Sequence, residues 1–275
     1  MFPLFPASRR CLLPLLVLLT GVSSAFAQRR DLREGELSCA RSGGDRDGER
    51  ACLMVQRTIA APSGTLSVDS RLNGGISVIG ENRSAVLIRA KVEAHARSEG
   101  RALELAEAVR VTSEGGRISV EGPDTRNREW WSVSFEVHVP ARTDLQLRAH
   151  NGGIAVAAVR GTLRLETSNG GIHLDAVNGD VVAETLNGGL HIDLEGDRWE
   201  GRGLDASSTN GGVRLRVPEG YSAHLETGTV NGGVDIDFPV TVRGRLGRRI
   251  TTDLGRGGAT LRVVTTNGGV TVTRD

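Results

Sequence analysis

The sequence predicts an all-β protein, and within that class a β-solenoid, or single-stranded β-helix, with one short helix. Three observations lead to this fold class. The unit Asn-Gly-Gly-aliphatic recurs along the chain, apolar and polar residues alternate strictly after the units, and the 275 residues include 37 glycines but only 3% aromatic residues. Asparagine and glycine favour turns, and strict alternation is typical of half-buried strands. A turn-rich β protein with an aliphatic core is therefore expected.

The first 27 residues, 1–27, are predicted to be a secretory signal peptide. Arg9 and Arg10 form a basic region, residues 11–19 are apolar, and residues 25–27 supply the small residues of a cleavage site. The apolar stretch is too short to span a bilayer, so no transmembrane segment is expected after signal cleavage. The protein is therefore expected to be exported, either to the periplasm or to the extracellular side of the cell surface.

Residues 28–60 are predicted to form an N-terminal segment that contains a disulfide. Cys39 and Cys52 are the cysteines that remain after cleavage, and an even pair in an exported chain indicates a bridge. A metal site would need further cysteines or histidines nearby, and residues 28–94 contain no histidine. We therefore expect Cys39 and Cys52 to be bonded to each other.

The region before the regular repeats is predicted to contain shorter strands and the one helix. Strands are expected at residues 65–68, 76–79, 85–90, 117–120 and 131–140. Residues 100–109 have a helix-forming composition, with Leu103, Leu105 and Ala106 available to pack. Pro140 cannot donate a hydrogen bond to a β-ladder, so it is expected to end its strand.

Seven Asn-Gly-Gly units are predicted to form the corners of the solenoid. They are Asn73-Gly74-Gly75, Asn151-Gly152-Gly153, Asn169-Gly170-Gly171, Asn187-Gly188-Gly189, Asn210-Gly211-Gly212, Asn231-Gly232-Gly233 and Asn267-Gly268-Gly269. From Asn151 to Asn187 the spacing is 18 residues, and later spacings of 23, 21 and 36 indicate the same coil with insertions. Glycines such as Gly170, Gly188 and Gly211 are expected to provide backbone angles that are closed to residues with a Cβ.

Two architectures fit these repeats. In an antiparallel β-meander, Asn-Gly would form two-residue hairpin turns. In a solenoid, each coil lies about 4.8 Å above the previous one and equivalent residues form columns. The outward columns would then be His173, His191, Arg214, Asp235 and Asp175, Asp193, Arg216, Asp237. Opposite charges follow one another in the second column, and the asparagines could form ladders, so the solenoid is favoured and the meander remains the alternative.

Residues 61–275 resemble a known family. Leu66-Ser67-Val68 before Asn73-Gly74-Gly75-Ile76, an early helix, a strand ending at Val139-Pro140 and the serial Asn-Gly-Gly units look like the bacterial putative adhesin family, which is related to autotransporter-adhesin head-like domains. This resemblance implies an adhesin-like, β-helical, exported domain of the cell envelope. The usual Asn-Gly-Asp corner of the family occurs here only at Asn178-Gly179-Asp180, so no role that depends on a corner aspartate is carried over.

Charge and motifs exclude several function classes. With 34 basic and 33 acidic residues, the chain lacks the basic field of a nucleic-acid-binding protein. It contains no Gly-x-Ser-x-Gly, His-Glu-x-x-His or phosphate-loop motif, and the pattern of calcium-binding β-rolls is absent. Glu166 and Glu184 share a repeat position, but nothing indicates a pocket around them. No catalytic residue, no cofactor and no cofactor-binding residue is therefore predicted.

The best candidate metal ligands lie on the outward face of two successive repeats. They are His173, Asp175, His191 and Asp193, which stacking would bring together. Arg214 and Arg216 in the next repeat would repel a cation, so the sequence favours a solvated polar ladder and no metal site is predicted.

The predicted function is that of a non-catalytic, exported cell-envelope protein, an adhesin or interaction scaffold. Its partner would be another envelope protein or a glycan. The alternative is a carbohydrate-active β-helix enzyme, a lyase or hydrolase, which would need grouped carboxylates beside Arg or His in a concave cluster. Trp130 and Trp131 could stack on a sugar, but paired tryptophans at the start of a strand more often cover the edge of a core.

Overall fold

A computed structural model describes residues 37–39, 48–125, 128–239 and 248–274. The predicted signal peptide, residues 1–27, lies outside the described residues. The described strands are β1 (Glu49–Ala60), β2 (Leu66–Asp69), β3 (Ile76–Glu81), β4 (Ala85–Ala96), β5 (Arg110–Glu114), β6 (Arg117–Glu121), β7 (Trp130–Pro140), β8 (Leu145–Asn151), β9 (Ile154–Ala157), β10 (Arg160–Asn169), β11 (Ile172–Asp175), β12 (Asn178–Asn187), β13 (Leu190–Asp193), β14 (Gly203–Asn210), β15 (Val213–Val217), β16 (Ala223–Asn231), β17 (Val234–Ile236), β18 (Arg249–Leu254), β19 (Thr260–Asn267) and β20 (Val270–Arg274). One helix, α1 (Glu99–Ala108), lies between β4 and β5.

The strands form two ten-stranded sheets. The first has the order β1-β4-β7-β3-β9-β11-β13-β15-β20-β17, and the second has the order β18-β16-β19-β14-β12-β10-β8-β2-β6-β5. The prediction of an all-β protein with one short helix is confirmed for the described residues. The chain alternates between the sheets, because the short strands that follow the Asn-Gly-Gly units belong to the first sheet and the strands that end at the asparagines belong to the second.

The repeats pair in parallel and in register. Asn169 at the end of β10 pairs with Asn151 of β8 on one side and with Asn187 of β12 on the other. The same holds in the first sheet, where His173 of β11 lies beside His191 of β13. Parallel pairing between successive repeats excludes an antiparallel meander, so that alternative is wrong for this part of the chain.

The order of the last repeats differs from their order in the chain. The final pair of strands, β19 and β20, lies between the repeat of β14 and β15 and the repeat of β16 and β17. Arg214 and Asp235 therefore both pair with Thr271 and are not neighbours. Likewise, Arg216 pairs with Thr273. The predicted columns that place Asp235 and Asp237 directly after the arginines are wrong at this point.

The first part of the chain is partly antiparallel. Strand β1 pairs with β4 along its whole length, and β4 pairs with β7, both antiparallel. Helix α1 is capped by Ser98, whose Oγ accepts a hydrogen bond from the backbone N–H of Arg101 at 3.4 Å. The helix buries Ala102, Leu105 and Ala106, whereas Leu103, which was expected to pack, is exposed. Helical geometry explains the difference, since position 102 shares a face with 105 and 106.

The core runs between the two sheets and is almost entirely aliphatic. Alternation sends every second side chain inward, so that Leu163 and Leu165 of β10 face the same interior as Ile172 and Leu174 of β11. All four are buried. Outward-facing residues of the same strands are polar, which leaves the side chains available for function on the outer faces and along the edges where the chain passes between sheets.

Candidate functional site

The seven asparagines of the Asn-Gly-Gly units form one continuous line of hydrogen-bonded side chains, which we call the asparagine edge. In spatial order these residues are Asn73, Asn151, Asn169, Asn187, Asn210, Asn267 and Asn231. Each side-chain Nδ2 donates to the Oδ1 of the preceding asparagine in this order, over 2.8–3.0 Å. Most of these asparagines are exposed. Asn267 lies between Asn210 and Asn231, as expected from the strand order of the last repeats.

A second ladder lies just beneath the asparagine edge. Five hydroxyl residues stand two positions before an asparagine, and each donates to the carbonyl of the first glycine in the neighbouring repeat; they are Thr167, Thr185, Ser208, Thr265 and Thr229. All five residues are buried. These five residues were not predicted, although each belongs to a Thr/Ser-x-Asn-Gly-Gly pattern in the sequence. Because an unpaired buried carbonyl is costly, these hydroxyls help to fix the spacing between repeats.

The first glycine in three of the units is required for a different reason from the one predicted. Gly170, Gly188 and Gly211 do not adopt positive φ angles. A Cβ at Gly188 would instead overlap the carbonyl of Gly170 in the neighbouring repeat and lie 2.8 Å from the nitrogen of Gly171. The backbones of adjacent repeats approach too closely for any side chain, so the expectation of special backbone angles is wrong for these three glycines.

Exposed apolar side chains accompany the asparagine edge. Leu72, Leu186 and Val230 each directly precede an asparagine of the edge, and they are 61%, 50% and 50% exposed. They make up half of the large exposed hydrophobic residues among the described part of the chain. One edge of the molecule therefore combines exposed asparagine side chains with exposed aliphatic side chains, a composition suited to contacts with another molecule.

Two imidazoles and a carboxylate converge on the outward face of the first sheet. Nε2 of His173 and Nε2 of His191 lie 3.2 Å and 3.3 Å from the same oxygen, Oδ2 of Asp193. The other oxygen, Oδ1, faces Nε of Arg216 at 3.5 Å. Burial raises the pKa of Asp193, but the hydrogen bond with His173 and the electrostatic interactions with His191 and Arg216 outweigh this effect, so the pKa lies below its usual value.

Asp175 stands beside Asp193 in register, but the three convergent ligand atoms belong to His173, His191 and Asp193. The expected pairing of Arg216 with Asp193 is present. Asp237 instead accepts a hydrogen bond from the backbone N–H of Arg274 at 3.1 Å.

Ion pairs cover the outward face of the second sheet. Nε of Arg148 lies 3.3 Å from Oε2 of Glu166, and Asp180 is paired with both Arg164 and Arg202. Glu166 and Glu184 are neighbours in register, as their equal repeat positions require, and both are exposed. Because Glu166 and Glu184 are exposed, they lie on a solvated surface and not in an apolar pocket. Exposed ion pairs of this kind contribute about 0–1 kcal/mol each.

A more buried network surrounds Glu136 on β7. Its Oε1 accepts hydrogen bonds from Arg89 at 3.0 Å and faces Nε2 of His138 at 3.1 Å, while Oε2 accepts one from the backbone N–H of Leu37 at 3.2 Å. Burial raises the pKa of Glu136, but the hydrogen bonds with His138, Leu37 and Arg89 lower it by more than burial raises it. The net shift of the pKa is therefore downward. The network thus connects the backbone of Leu37 to the first sheet.

The predicted disulfide is present. Cys39 and Cys52 are bonded, with 5.7 Å between their Cα atoms.

The two adjacent tryptophans have different surroundings. Trp131 is half-buried and donates from Nε1 to the carbonyl of Pro123. Trp130 is exposed and stacks on His95 with the rings 5.6 Å apart, so one of its faces is already covered.

A surface cavity of about 360 Å³ lies against β14, β16, β18 and β19. Serine and threonine make up most of its lining, and Arg249 and Arg262 also border it. Among the described residues that line it, Glu226 is the only one with a carboxylate, whereas glycoside hydrolysis uses a pair of carboxyl groups.

Among the described residues, no helix is both long and apolar enough to cross a membrane.

Comparison with known proteins gives a family and distant structural relatives. No curated protein matches the chain. A putative cell adhesion protein from Clostridium sporogenes ATCC 15579 shares 10% identity and a TM-score of 0.41, with 83% of this chain and 100% of that chain covered. A putative adhesin from Bacteroides fragilis NCTC 9343 shares 8% identity and a TM-score of 0.35, with 81% and 97% covered. A putative lipid binding protein from Parabacteroides distasonis ATCC 8503 shares 7% identity and a TM-score of 0.35, with 81% and 96% covered.

The family comparison covers most of the chain. The family model described as Toastrack DUF4097 matches residues 58–273, a range that contains all seven Asn-Gly-Gly units. The resemblance of the repeat region to a known protein family, inferred from those repeats, is confirmed by this match. The chain belongs to the Toastrack DUF4097 family.

Proposed function

We propose that residues 61–275 form a β-solenoid with Asn-Gly-Gly corners, which works as a non-catalytic adhesin or interaction scaffold of the cell envelope. The observation that carries this proposal is the asparagine edge, which runs across seven repeats and combines exposed asparagine side chains with exposed aliphatic side chains. A stack of repeats gives an extended and rigid surface, which is suited to binding a large partner rather than to enclosing a small substrate.

A binding role also agrees with the chemistry of the outer faces. The carboxylates of the second sheet are exposed or partly exposed and several are paired with arginine, and the described residues that line the cavity beside Glu226 include no second carboxylate. General acid catalysis would instead need a carboxyl group whose pKa is raised by its surroundings. Among the described residues, each carboxyl group with a clearly shifted pKa has a lowered pKa, which disfavours proton donation at neutral pH. These groups are Glu129, Glu136, Asp180 and Asp193.

Export is part of the same proposal. Residues 1–27 have the pattern of a signal peptide, and the bond between Cys39 and Cys52 fits an oxidising compartment such as the periplasm or the cell surface. The partner is proposed to be an envelope protein or a glycan, because these are the large molecules that an exported scaffold meets there.

The test compares three forms of the protein in a glycan array and in a pull-down from envelope extract. They are the unmodified protein, the double variant Leu186→Asp, Val230→Asp, and the matched control Glu184→Gln, which changes an exposed residue on the outward face of the same strand as Leu186. We expect the double variant to bind at least about tenfold more weakly, since charge at a contact residue removes apolar burial, whereas the control should bind normally.

Two results would contradict the proposal. Equal binding by the double variant would remove the asparagine edge as the contact surface. Release of new reducing ends or unsaturated sugars from a glycan that the protein binds would show catalysis and would favour the lyase or hydrolase alternative.

A further inference from the structure

We propose that His173, His191 and Asp193 form a binding site for a divalent transition-metal ion, with Zn²⁺ as the best fit. Nothing in the proposed scaffold function requires a metal, so this inference is independent of it. The donor atoms come from two neighbouring parallel strands, since His173 lies on β11 while His191 and Asp193 lie on β13. All three side chains point to the outer face of the first sheet, and the three donor atoms lie within 4.8 Å of one another.

The distances match tetrahedral coordination. Zinc binds imidazole nitrogen and carboxylate oxygen at about 2.0–2.1 Å, so two ligands of a tetrahedral ion lie about 3.3 Å apart. The separations from Oδ2 of Asp193 to Nε2 of His173 and of His191 are 3.2 Å and 3.3 Å. The two imidazoles are tilted by 43° and their χ2 angles can rotate easily, so the separation between their nitrogens can adjust around an ion.

The backbone holds the ligands in place before any ion arrives. Residues 173 and 191 are register partners in a parallel β-ladder, and Asp193 is two residues after His191 on the same face. Flanking repeats continue the ladder on both sides, because β9 pairs with β11 and β15 pairs with β13. Little conformational entropy is therefore lost when a metal binds.

Arg216 does not occupy the ligand position. Its Nε faces Oδ1 of Asp193, whereas both imidazoles face Oδ2. A second partner on the free oxygen of a ligating carboxylate is a common way to orient it. Asp175, in register beside Asp193, adds negative charge that offsets the arginine. Arg216 therefore leaves Oδ2 of Asp193 accessible to a cation, and Arg214, in register beside His191, is the positive charge that the site has to tolerate.

The donor set also selects the type of metal. Two imidazoles and one carboxylate suit Zn²⁺, Cu²⁺ or Ni²⁺, whereas Ca²⁺ and Mg²⁺ prefer all-oxygen sites. The imidazoles of His173 and His191 are about one third exposed, so the fourth position of a tetrahedral ion would face solvent. Water or a side chain of a binding partner can fill that position.

The test is calorimetric titration of the untagged protein with Zn²⁺ at neutral pH, and with Ca²⁺ as the metal control. We expect one Zn²⁺ per chain and no comparable Ca²⁺ binding. Affinity should fall at least about tenfold in His173→Ala and in His191→Ala, because each change removes one of three ligands. The matched control is His224→Ala, since His224 also lies beside carboxylates, Asp253 at 2.7 Å and Glu226 at 3.8 Å, but has no second imidazole in its group.

A second measurement separates metal binding from misfolding of a variant. A bound ion raises the melting temperature of the folded protein by mass action, so Zn²⁺ should stabilise the unmodified protein and His224→Ala but not His173→Ala or His191→Ala. Absence of stoichiometric Zn²⁺ binding would overturn the proposal. Zinc binding and zinc-dependent stabilisation that survive in the double variant His173→Ala, His191→Ala would overturn it equally, by placing the metal elsewhere.

Discussion

Replacing Gly188 with alanine should destabilise the protein, because adjacent repeats touch through their backbones at this position. A Cβ there would overlap the carbonyl carbon and oxygen of Gly170 and approach the nitrogen of Gly171 to 2.8 Å. Relief of the overlap requires the two repeats to separate locally by on the order of 1 Å. That movement would stretch the hydrogen bond from the N–H of Gly170 to the carbonyl of Asn187 from 3.0 Å to beyond bonding distance.

The expected loss follows from these terms. One backbone hydrogen bond contributes about 0.5–1.5 kcal/mol, and overpacking of a tight contact costs about 1–3 kcal/mol. We therefore expect Gly188→Ala to lower the free energy of unfolding by about 1–3 kcal/mol, which for a chain of this size corresponds to about 2–4 °C in melting temperature for each kcal/mol.

The matched control is Gly233→Ala in the terminal repeat. A Cβ at Gly233 meets no atom within 4 Å, and Gly233 does not have a positive φ. The free energy of unfolding of Gly233→Ala should stay within about 0.5 kcal/mol of that of the unmodified protein or rise slightly, since alanine restricts the unfolded chain. Thermal melts followed by circular dichroism measure both variants. Equal melting temperatures for Gly188→Ala and Gly233→Ala would show that the close approach of the two backbones does not limit stability.

Three further predictions concern side chains. Thr185→Val removes a buried hydroxyl of the second ladder and leaves its carbonyl partner unpaired, so urea denaturation should show a loss of about 1–3 kcal/mol. Glu136→Gln should destabilise the protein at neutral pH. Because folding lowers the pKa of Glu136, the difference in stability from the unmodified protein should shrink as the pH falls through the folded-state pKa. A difference in melting temperature that stays constant with pH would contradict this. Thiol titration of the exported form under denaturing, non-reducing conditions should find Cys39 and Cys52 unreactive, and two reactive thiols per chain would be contrary to the bridge.

Local features of the fold could be predicted from the sequence because they depend on neighbouring residues. Alternation after each Asn-Gly-Gly unit predicted β11 and β13 with their polar faces, and Pro140 was correctly expected to end β7. Strand β1 was missed because its apolar and polar residues do not alternate cleanly; it is defined by its antiparallel pairing with β4. The exposure of Leu103 shows the same limit, since helical composition does not determine which face of α1 is covered.

The order of the last repeats could not be predicted because it depends on long-range pairing. Every repeat carries the same Asn-Gly-Gly unit, so the repeat that contains Asn267 can continue the ladder from Asn210 as well as the repeat of Asn231 can. Strand β18 pairs antiparallel with β16 and occupies the edge of the second sheet beyond it. The convergence of His173 and His191 on one oxygen of Asp193 was likewise set by side-chain conformations that the repeat spacing does not specify.

Disulfide trapping between outward positions tests the stacked parallel arrangement, on which the asparagine edge and the metal site both depend. Arg214 pairs directly with Thr271, whereas Asp235 lies one strand further away. Cysteines form a bond only when their Cα atoms are about 4.4–6.8 Å apart, and strands two positions apart are separated by about 9–10 Å. The account predicts an efficient bond in the variant Arg214→Cys, Thr271→Cys and none in Arg214→Cys, Asp235→Cys, as measured by peptide mass spectrometry after mild oxidation. A bond in the second variant and not in the first would contradict the stacking order of the repeats.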